Sequence, residues 1–228
     1  MPASRYVGEF VVVDKTNGVQ YLASKDWSWD IGNDLTGWIL AGTVPTIASD
    51  GRIELFDNAA GIGSSQGYIS LPNTTGEFLG MIHFKITRMV GDTSNYAYSL
   101  FCGLLADAAY SSGIIFRLVL LPVYGAWYNN GQIGVDVTLS GGLTSGVEYA
   151  VDIVITPSEV IYLVNNVRLG STPRSAKGAI TSLSATQNQA WRAGQKRVAF
   201  FAGHGAGQVS HYRVSDIKVG RLAGIGSV

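Results

Sequence analysis

Two aromatic rings and two amides stand side by side in this chain, directly before a glycine: Trp127, Tyr128, Asn129 and Asn130. Trp and Tyr rings stack on the apolar face of a sugar, and Asn side chains exchange hydrogen bonds with hydroxyl groups. These four residues are therefore the candidate ligand-binding residues. The alternative is a core Trp beside a type I′ turn, because Asn-Gly is a favoured sequence for that turn.

Oxygen ligands of the kind that Ca²⁺ prefers occur in two stretches of the chain. The calcium candidates are Asp30, Asn33, Asp34, Asp92 and Asn95. Asx residues at turns are equally explained by hydrogen bonds to their own backbone. They do not by themselves require a metal, and no obligatory cofactor is predicted.

Histidines suggest no zinc site. His204 and His211 flank a glycine-containing segment, and Asp216 is the obvious third ligand nearby. Zinc needs three or four converging ligands. His83 alternates with apolar residues and is predicted to point outward from a strand.

Catalytic carboxylates are not clustered in the sequence. Glu148 and Asp152 share a strand face four residues apart, roughly 13 Å by strand rise. That separation exceeds the spacing of the two carboxylates in either class of glycosidase. Both are interpreted as solvated strand positions, no catalytic residue is assigned, and the protein is predicted not to be an enzyme.

The remaining tryptophans have two interpretations. Trp27, Trp29 and Trp38 lie in an irregular early segment, where they line a groove or pack that segment onto the rest of the protein. Trp191 sits beside Arg192 in a predicted loop and suits an interface or a ligand. Cys102, the single cysteine, is predicted to be buried, because its neighbours are apolar.

Composition limits the partners. Lys+Arg and Asp+Glu are both 16, so the formal net charge is zero, whereas a nucleic-acid binder normally shows a basic excess. Charged residues make up 14% of the chain, against about 25% in typical domains, which favours a homo-oligomer or an assembly subunit. The first residues lack a signal-peptide pattern and no apolar run is long enough for a spanning helix. We therefore expect synthesis in the cytoplasm and no membrane insertion.

Alternating apolar residues predict about 12 or 13 antiparallel strands. Leu79–Val90 is a clear example, with Ile82, Phe84 and Ile86 on one side. The segment Lys177–Ala193 is predicted as a loop. The fold class is all-β, a two-sheet sandwich forming one domain over residues 1–228, in which residues 1–78 are less regular and form an oligomerisation segment or an arm.

Motifs in the last third of the chain resemble those of a known family. A strand ending in Asn165-Asn166 is followed by Arg168-Leu169-Gly170, then by the strand Arg197–Phe201, and finally by Val214–Leu222 (VSDIKVGRL). Over about Phe78 to Leu222 the chain resembles the concanavalin A-like or laminin-G-like jelly-roll superfamily. The resemblance implies a fold shared by lectins, glycan-binding modules, glycoside hydrolases, polysaccharide lyases and structural domains of viral particles. The carboxylate run of its hydrolases and the Arg-rich strand plus Gln-x-His of its lyases are absent here.

These observations predict a non-catalytic structural or recognition subunit. The expected setting is the virion surface of a phage or virus, as a capsid decoration, head-fibre or tail-associated protein whose partners are sister subunits, capsid or tail proteins and a glycan. The alternative is a cellular carbohydrate-binding, lectin-like module, and the third reading is a polysaccharide-active enzyme. The apolar tail Leu222–Val228 is expected to dock on its own sandwich or on an adjacent copy.

Overall fold

A computed structural model describes residues 5–6, 10–93, 100–106, 112–118, 123–129, 132–138, 143–175, 180–181 and 183–228. For residues 5–6, 101, 112, 117–118, 123–129 and 132–138 it describes the backbone alone. The elements are β1 (Arg5–Tyr6), β2 (Val11–Asp14), β3 (Val19–Gly32), β4 (Ile39–Gly42), β5 (Thr46–Ile47), β6 (Ile53–Asp57), β7 (Gly63–Ser70), β8 (Gly80–Arg88), β9 (Leu100–Ala106), β10 (Ser112–Leu118), β11 (Val123–Asn129), β12 (Gln132–Thr138), β13 (Glu148–Ile155), β14 (Glu159–Val164), β15 (Val167–Pro173), α1 (Ala185–Ala193), β16 (Lys196–His204) and β17 (Ser210–Ser227).

Two antiparallel sheets form the fold. The ten-stranded sheet has the order β1-β3-β17-β8-β13-β14-β15, with β2 on β3, β6 on β17 and β5 on β6. The seven-stranded sheet has the order β12-β11-β10-β9-β16-β7-β4. The predicted all-β sandwich is confirmed. The strands outnumber the prediction because elements of two to four residues, such as β1, β4 and β5, are too short to show a period of two.

The main core lies between the two sheets. Ile82, Phe84 and Ile86 of β8 are all buried there, as their alternation predicts. The Phe84 ring meets the Phe200 ring edge-on, with centroids 5.8 Å apart. Cys102 of β9 belongs to the same core, and burial raises the pKa of its thiol well above the ordinary value.

A second, smaller core covers the other face of the ten-stranded sheet. Met81, Val154 and Ile161 pack there against Val12 and Tyr21 of the β2–β3 hairpin. Strand β13 is consequently buried on both faces from Val151 onward. Short-range alternation does not reveal such a strand, because neither face needs polar residues.

Long strands connect the early residues to both sheets. Strand β3 runs for 14 residues through a segment predicted as irregular, and it pairs with β17 from its first residue to its last. Strands β4 and β7, also from the first 78 residues, belong to the seven-stranded sheet. The tail prediction is confirmed for docking on the protein's own sandwich: Ile225 pairs with Tyr21 and Ser227 with Val19.

Helix α1 replaces the predicted loop. Ser184 caps it, accepting a hydrogen bond from Gln187 N at 3.3 Å while the Gln187 side chain accepts one from Ser184 N at 2.6 Å. The sequence Ser184-Ala185-Thr186-Gln187 has the spacing of a capping box and marks the start of a helix in place of the predicted loop. Trp191, predicted in a loop, is a buried helical residue. Within the described part of the chain, no helix is long and apolar enough to cross a bilayer.

Candidate functional site

Strand β16 divides its side chains between the core and the outer face of the seven-stranded sheet, which is the face turned away from the other sheet. Val198 and Phe200 are buried in the core. Arg197 and Phe201 alternate with them and therefore belong to the outer face. Both are partly exposed, which makes this end of the outer face accessible to a ligand.

Neighbouring strand β7 completes the site. Tyr68 pairs with Ala199, and Gln66 pairs with Phe201. Directly paired residues of antiparallel strands project on the same face, so a phenol and an amide stand beside Arg197 and Phe201. The Arg197 guanidinium lies 4.7 Å from the centroid of the Tyr68 ring, a cation–π contact that holds both groups in place.

Arg197 lacks acceptors for part of its guanidinium. Nε and Nη1 are buried and have no hydrogen-bond partner. Each of the other arginines whose side chain the structure describes has a carboxylate or carbonyl oxygen within 4 Å: Arg52, Arg88, Arg168, Arg174, Arg192, Arg213 and Arg221. Arg197 is thus the arginine that the described structure leaves without an anion or carbonyl.

Backbone pairing locates the predicted binding residues on β11. Tyr128 pairs with Gly113, Gly113 with Leu105, and Leu105 with Arg197. Tyr128 therefore belongs to a row of directly paired residues on the outer face that crosses the fully buried Leu105 to Arg197 and continues to Ser70. Its contact with a ligand stays a prediction.

Trp127 falls in the neighbouring row. It pairs with Ile114, which pairs with Leu104, which pairs with Val198. All three of these partners are buried in the main core. Asn129 pairs with Gln132 at the end of the strand, and Asn130 lies outside the described residues.

The calcium candidates are engaged with protein groups. Asp30 Oδ1 accepts a hydrogen bond from Gly32 N at 2.8 Å, Asn33 Oδ1 one from Asp216 N at 3.2 Å, and Asp34 Oδ1 one from Thr36 N at 2.8 Å. Asp92, in the second stretch, accepts from Arg88 Nε at 3.1 Å, and Asn95 lies outside the described residues. Among the described residues, no group of three or more His, Cys, Asp or Glu side chains could hold a metal ion. Calcium binding stays a prediction.

Asp152 is buried, whereas the sequence predicts a solvated strand position. It is 2% exposed, and its Oδ1 lies 2.7 Å from His83 Nδ1. Asp152 pairs with Leu163 of the smaller core, so the hairpin that covers this face removes the carboxylate from solvent. Glu148 is exposed as predicted.

A bulge adds a second carboxylate to this polar group. Asp216 has a φ of 53° where the pairing of β17 with β8 shifts register. Its Oδ2 lies 3.5 Å from His83 Nε2, and its Oδ1 lies 2.6 Å from Lys218 Nζ. Burial would raise the pKa of the Asp216 carboxyl, but Lys218, His83 and Lys85 outweigh it and lower that pKa. The two carboxylates of the His83–Asp152–Asp216 group are therefore paired with His83 and with the ammonium groups of Lys85 and Lys218.

The other histidines pair with different carboxylates. His211 Nε2 lies 3.0 Å from Glu54 Oε1, and this hydrogen bond is the largest cause of the lowered pKa of Glu54. His204 is buried, with Nε2 3.3 Å from Asp57 Oδ1. The two histidines thus do not share a site.

The early tryptophans pack onto the sandwich. Trp38 stacks on Phe200 with centroids 5.6 Å apart, and Trp27 meets Phe78 edge-on at 5.8 Å. A separate cleft of about 710 Å³ lies beside α1 and is lined by Thr75, Ser175, Gln189 and Arg192, among others. None of its described lining residues is aromatic, which distinguishes it from the outer face.

Comparisons with known proteins identify the fold. No family model and no curated protein matches the chain. Among solved structures, the exoplasmic/lumenal domain of VIP36 in a Ca²⁺/Man2-bound form matches with a TM-score of 0.57 and 8% identity, covering 89% of this chain and 90% of that one. The carbohydrate-binding module CBM66 from Bacillus subtilis matches with a TM-score of 0.53 and 10% identity, covering 80% and 95%.

An enzyme shares the same fold. Laminarinase from Flavobacterium sp. UMI-01 matches with a TM-score of 0.55 and 11% identity, covering 86% of this chain and 99% of that one. Identities this low establish architecture and leave function to the site. The two packed antiparallel sheets and these matches together show that the chain has the concanavalin A-like jelly-roll β-sandwich fold.

Proposed function

We propose that this protein is a carbohydrate-binding, lectin-like module whose site is the outer face of the seven-stranded sheet. The observation that carries the proposal is the partly exposed group of Tyr68, Gln66, Phe201 and Arg197 on paired strands. Aromatic rings supply a stacking surface for a sugar ring, and the amide and guanidinium supply hydrogen bonds to its hydroxyl groups.

The structural neighbours support the same function. VIP36 is described in a mannose-type complex and CBM66 as a carbohydrate-binding module. They therefore favour the carbohydrate-binding alternative over a particle-surface role. The virion setting, capsid or tail partners and homo-oligomer formation stay predictions.

Glycan binding can be tested on the purified protein with a glycan array, followed by titration calorimetry on the best ligand. Tyr68→Ala is expected to weaken binding about fivefold or more, because stacking on an aromatic ring contributes about 1 kcal/mol or more. Phe56→Ala is the matched control, since Phe56 is an exposed ring on the ten-stranded sheet. A folded protein with a blank array, or equal losses in both variants, would contradict the proposal.

Variants on β11 test the sequence-predicted residues. Tyr128→Ala is expected to reduce glycan affinity at unchanged stability, because Tyr128 shares a row with Arg197. Trp127→Ala is expected to lower the melting temperature, because its row continues core residues. Loss of affinity in a stable Trp127→Ala protein would instead place the ligand at the turn, as the sequence alone suggests.

A further inference from the structure

Arg197 is positioned by its surroundings before any ligand arrives. Its chain neighbours Lys196 and Val198 have no exposed surface, and its guanidinium is held at 4.7 Å over the Tyr68 ring. A side chain fixed at both ends loses little rotamer entropy when it binds. A small loss of conformational entropy on binding is the advantage of a preorganised binding group.

Two guanidinium nitrogens of Arg197 lack hydrogen-bond acceptors. Buried guanidinium donors normally have acceptors, and an unmet donor costs free energy. Nε and Nη1 are buried without one, whereas Nη2 is not among the buried unpaired atoms. Nη2 has no partner in the described structure either, so it keeps exposed surface and is the atom that an incoming anion meets first.

The charge of Arg197 is not compensated by the residues described around it. Its neighbours Tyr68, Gln66 and Phe201 on paired strands carry no formal charge. Among the residues that the structure describes, no Asp or Glu side chain forms an ion pair with the guanidinium. A partly buried cation without a carboxylate partner favours an anionic ligand.

We propose that Arg197 makes this site specific for anionic sugars, by binding a carboxylate or a sulfate group of the glycan. The inference rests on the proposed glycan-binding function and adds the class of its ligand. The sugar ring stacks beside Tyr68, and its charged substituent takes the Arg197 donors, with charge-assisted hydrogen bonds stronger than those to neutral hydroxyls.

The test uses the full chain and a panel of paired glycans. Sialylated, uronate-containing and sulfated oligosaccharides are each matched with a desialylated, carboxyl-reduced or desulfated counterpart. Binding to an anionic member that is lost in its neutral counterpart supports the inference, and the chemistry removed tells carboxylate from sulfate. Binding to neutral glycans alone overturns the inference but leaves the proposed function. No binding by the folded protein overturns both.

Arg197→Gln is then measured on the best anionic probe. Its affinity is expected to fall about ten- to a hundredfold, the range for losing a charge-assisted hydrogen bond, and its melting temperature is expected to stay the same or rise. Arg192→Gln, which changes an arginine 40% exposed in the last turn of α1, is the matched control and is expected to bind within about twofold of the parent. Unchanged affinity in a folded Arg197→Gln protein would overturn the assignment.

Discussion

At the scale of single residues, buried polar groups of this protein are mostly satisfied by a specific partner. Lys196 is an example: it has no exposed surface, and its Nζ donates to the carbonyls of Trp191 and Gly194, the latter at 2.8 Å. The ammonium also lies 4.7 Å from the centroid of the Trp191 ring. It therefore satisfies carbonyls at the C-terminal end of α1, where no backbone donor follows.

Lys196→Met tests this role. Methionine keeps the apolar stem but leaves the carbonyls without their donor, so the free energy of unfolding is expected to fall by about 1–3 kcal/mol in urea titrations. Lys85→Met, at an ammonium 39% exposed and 3.3 Å from Asp216, is expected to change it by about 1 kcal/mol or less. Equal effects in the two variants would show that Lys196 is not structural.

The lowered pKa of Glu54 leads us to expect that the stability of the protein depends on pH. Its hydrogen bonds with His211 and Arg213 lower its pKa in the folded state below the ordinary 4.5. The charged form therefore stabilises the fold fully above that ordinary value, and the stabilisation disappears as the pH falls through the folded-state pKa.

The free energy of unfolding is accordingly expected to fall as the pH is lowered from about 5 to about 3. Glu54→Gln should show a shallower decrease in the same urea titrations, since it removes one of the groups that take up a proton. Glu148→Gln, at an exposed carboxylate 3.3 Å from Arg52, is the control. A Glu54→Gln protein with the parent's full pH dependence would contradict the prediction.

At the scale of elements, β17 joins both ends of the chain into the ten-stranded sheet. Its 18 residues pair with β6 from Ser210 to Val214, with β8 between Tyr212 and Arg221, and with β3 between Ile217 and Ser227. The apolar sequence predicts that the tail docks, but a tail in which every residue is small or apolar does not reveal its partner strand. The structure shows that this partner is β3, which also pairs with β2.

Deletion of residues 224–228 removes the last of this pairing, including the hydrogen bond from Val228 N to Gly18 O at 3.0 Å. The melting temperature is expected to fall by roughly 2–8 °C, as a loss of one or two kcal/mol does in a chain of this size. Ile225→Ser, at a side chain 55% exposed, should change it little. Unchanged melting temperature and oligomeric state after the deletion would show that the docked tail contributes nothing.

At the scale of the whole molecule, the two sheets differ in how their described charged side chains are paired. The ten-stranded sheet pairs its charges locally, as in the His83–Asp152–Asp216 group. The outer face of the seven-stranded sheet has Arg197 without a carboxylate. A formal net charge of zero conceals this difference, since it sums over faces that a ligand meets separately.

The sequence alone determined the class of fold, because the period of two in segments such as β8 follows from strand geometry and from burying one face. It also indicated aromatic and amide chemistry on β11. It did not indicate Arg197, whose significance depends on Tyr68, a residue more than a hundred positions away along the chain. Only the tertiary structure decided which carboxylates are buried, which described arginine lacks a hydrogen-bond acceptor and which aromatic rings stand beside it, because each of these is set by strands that are distant in sequence and adjacent in a sheet.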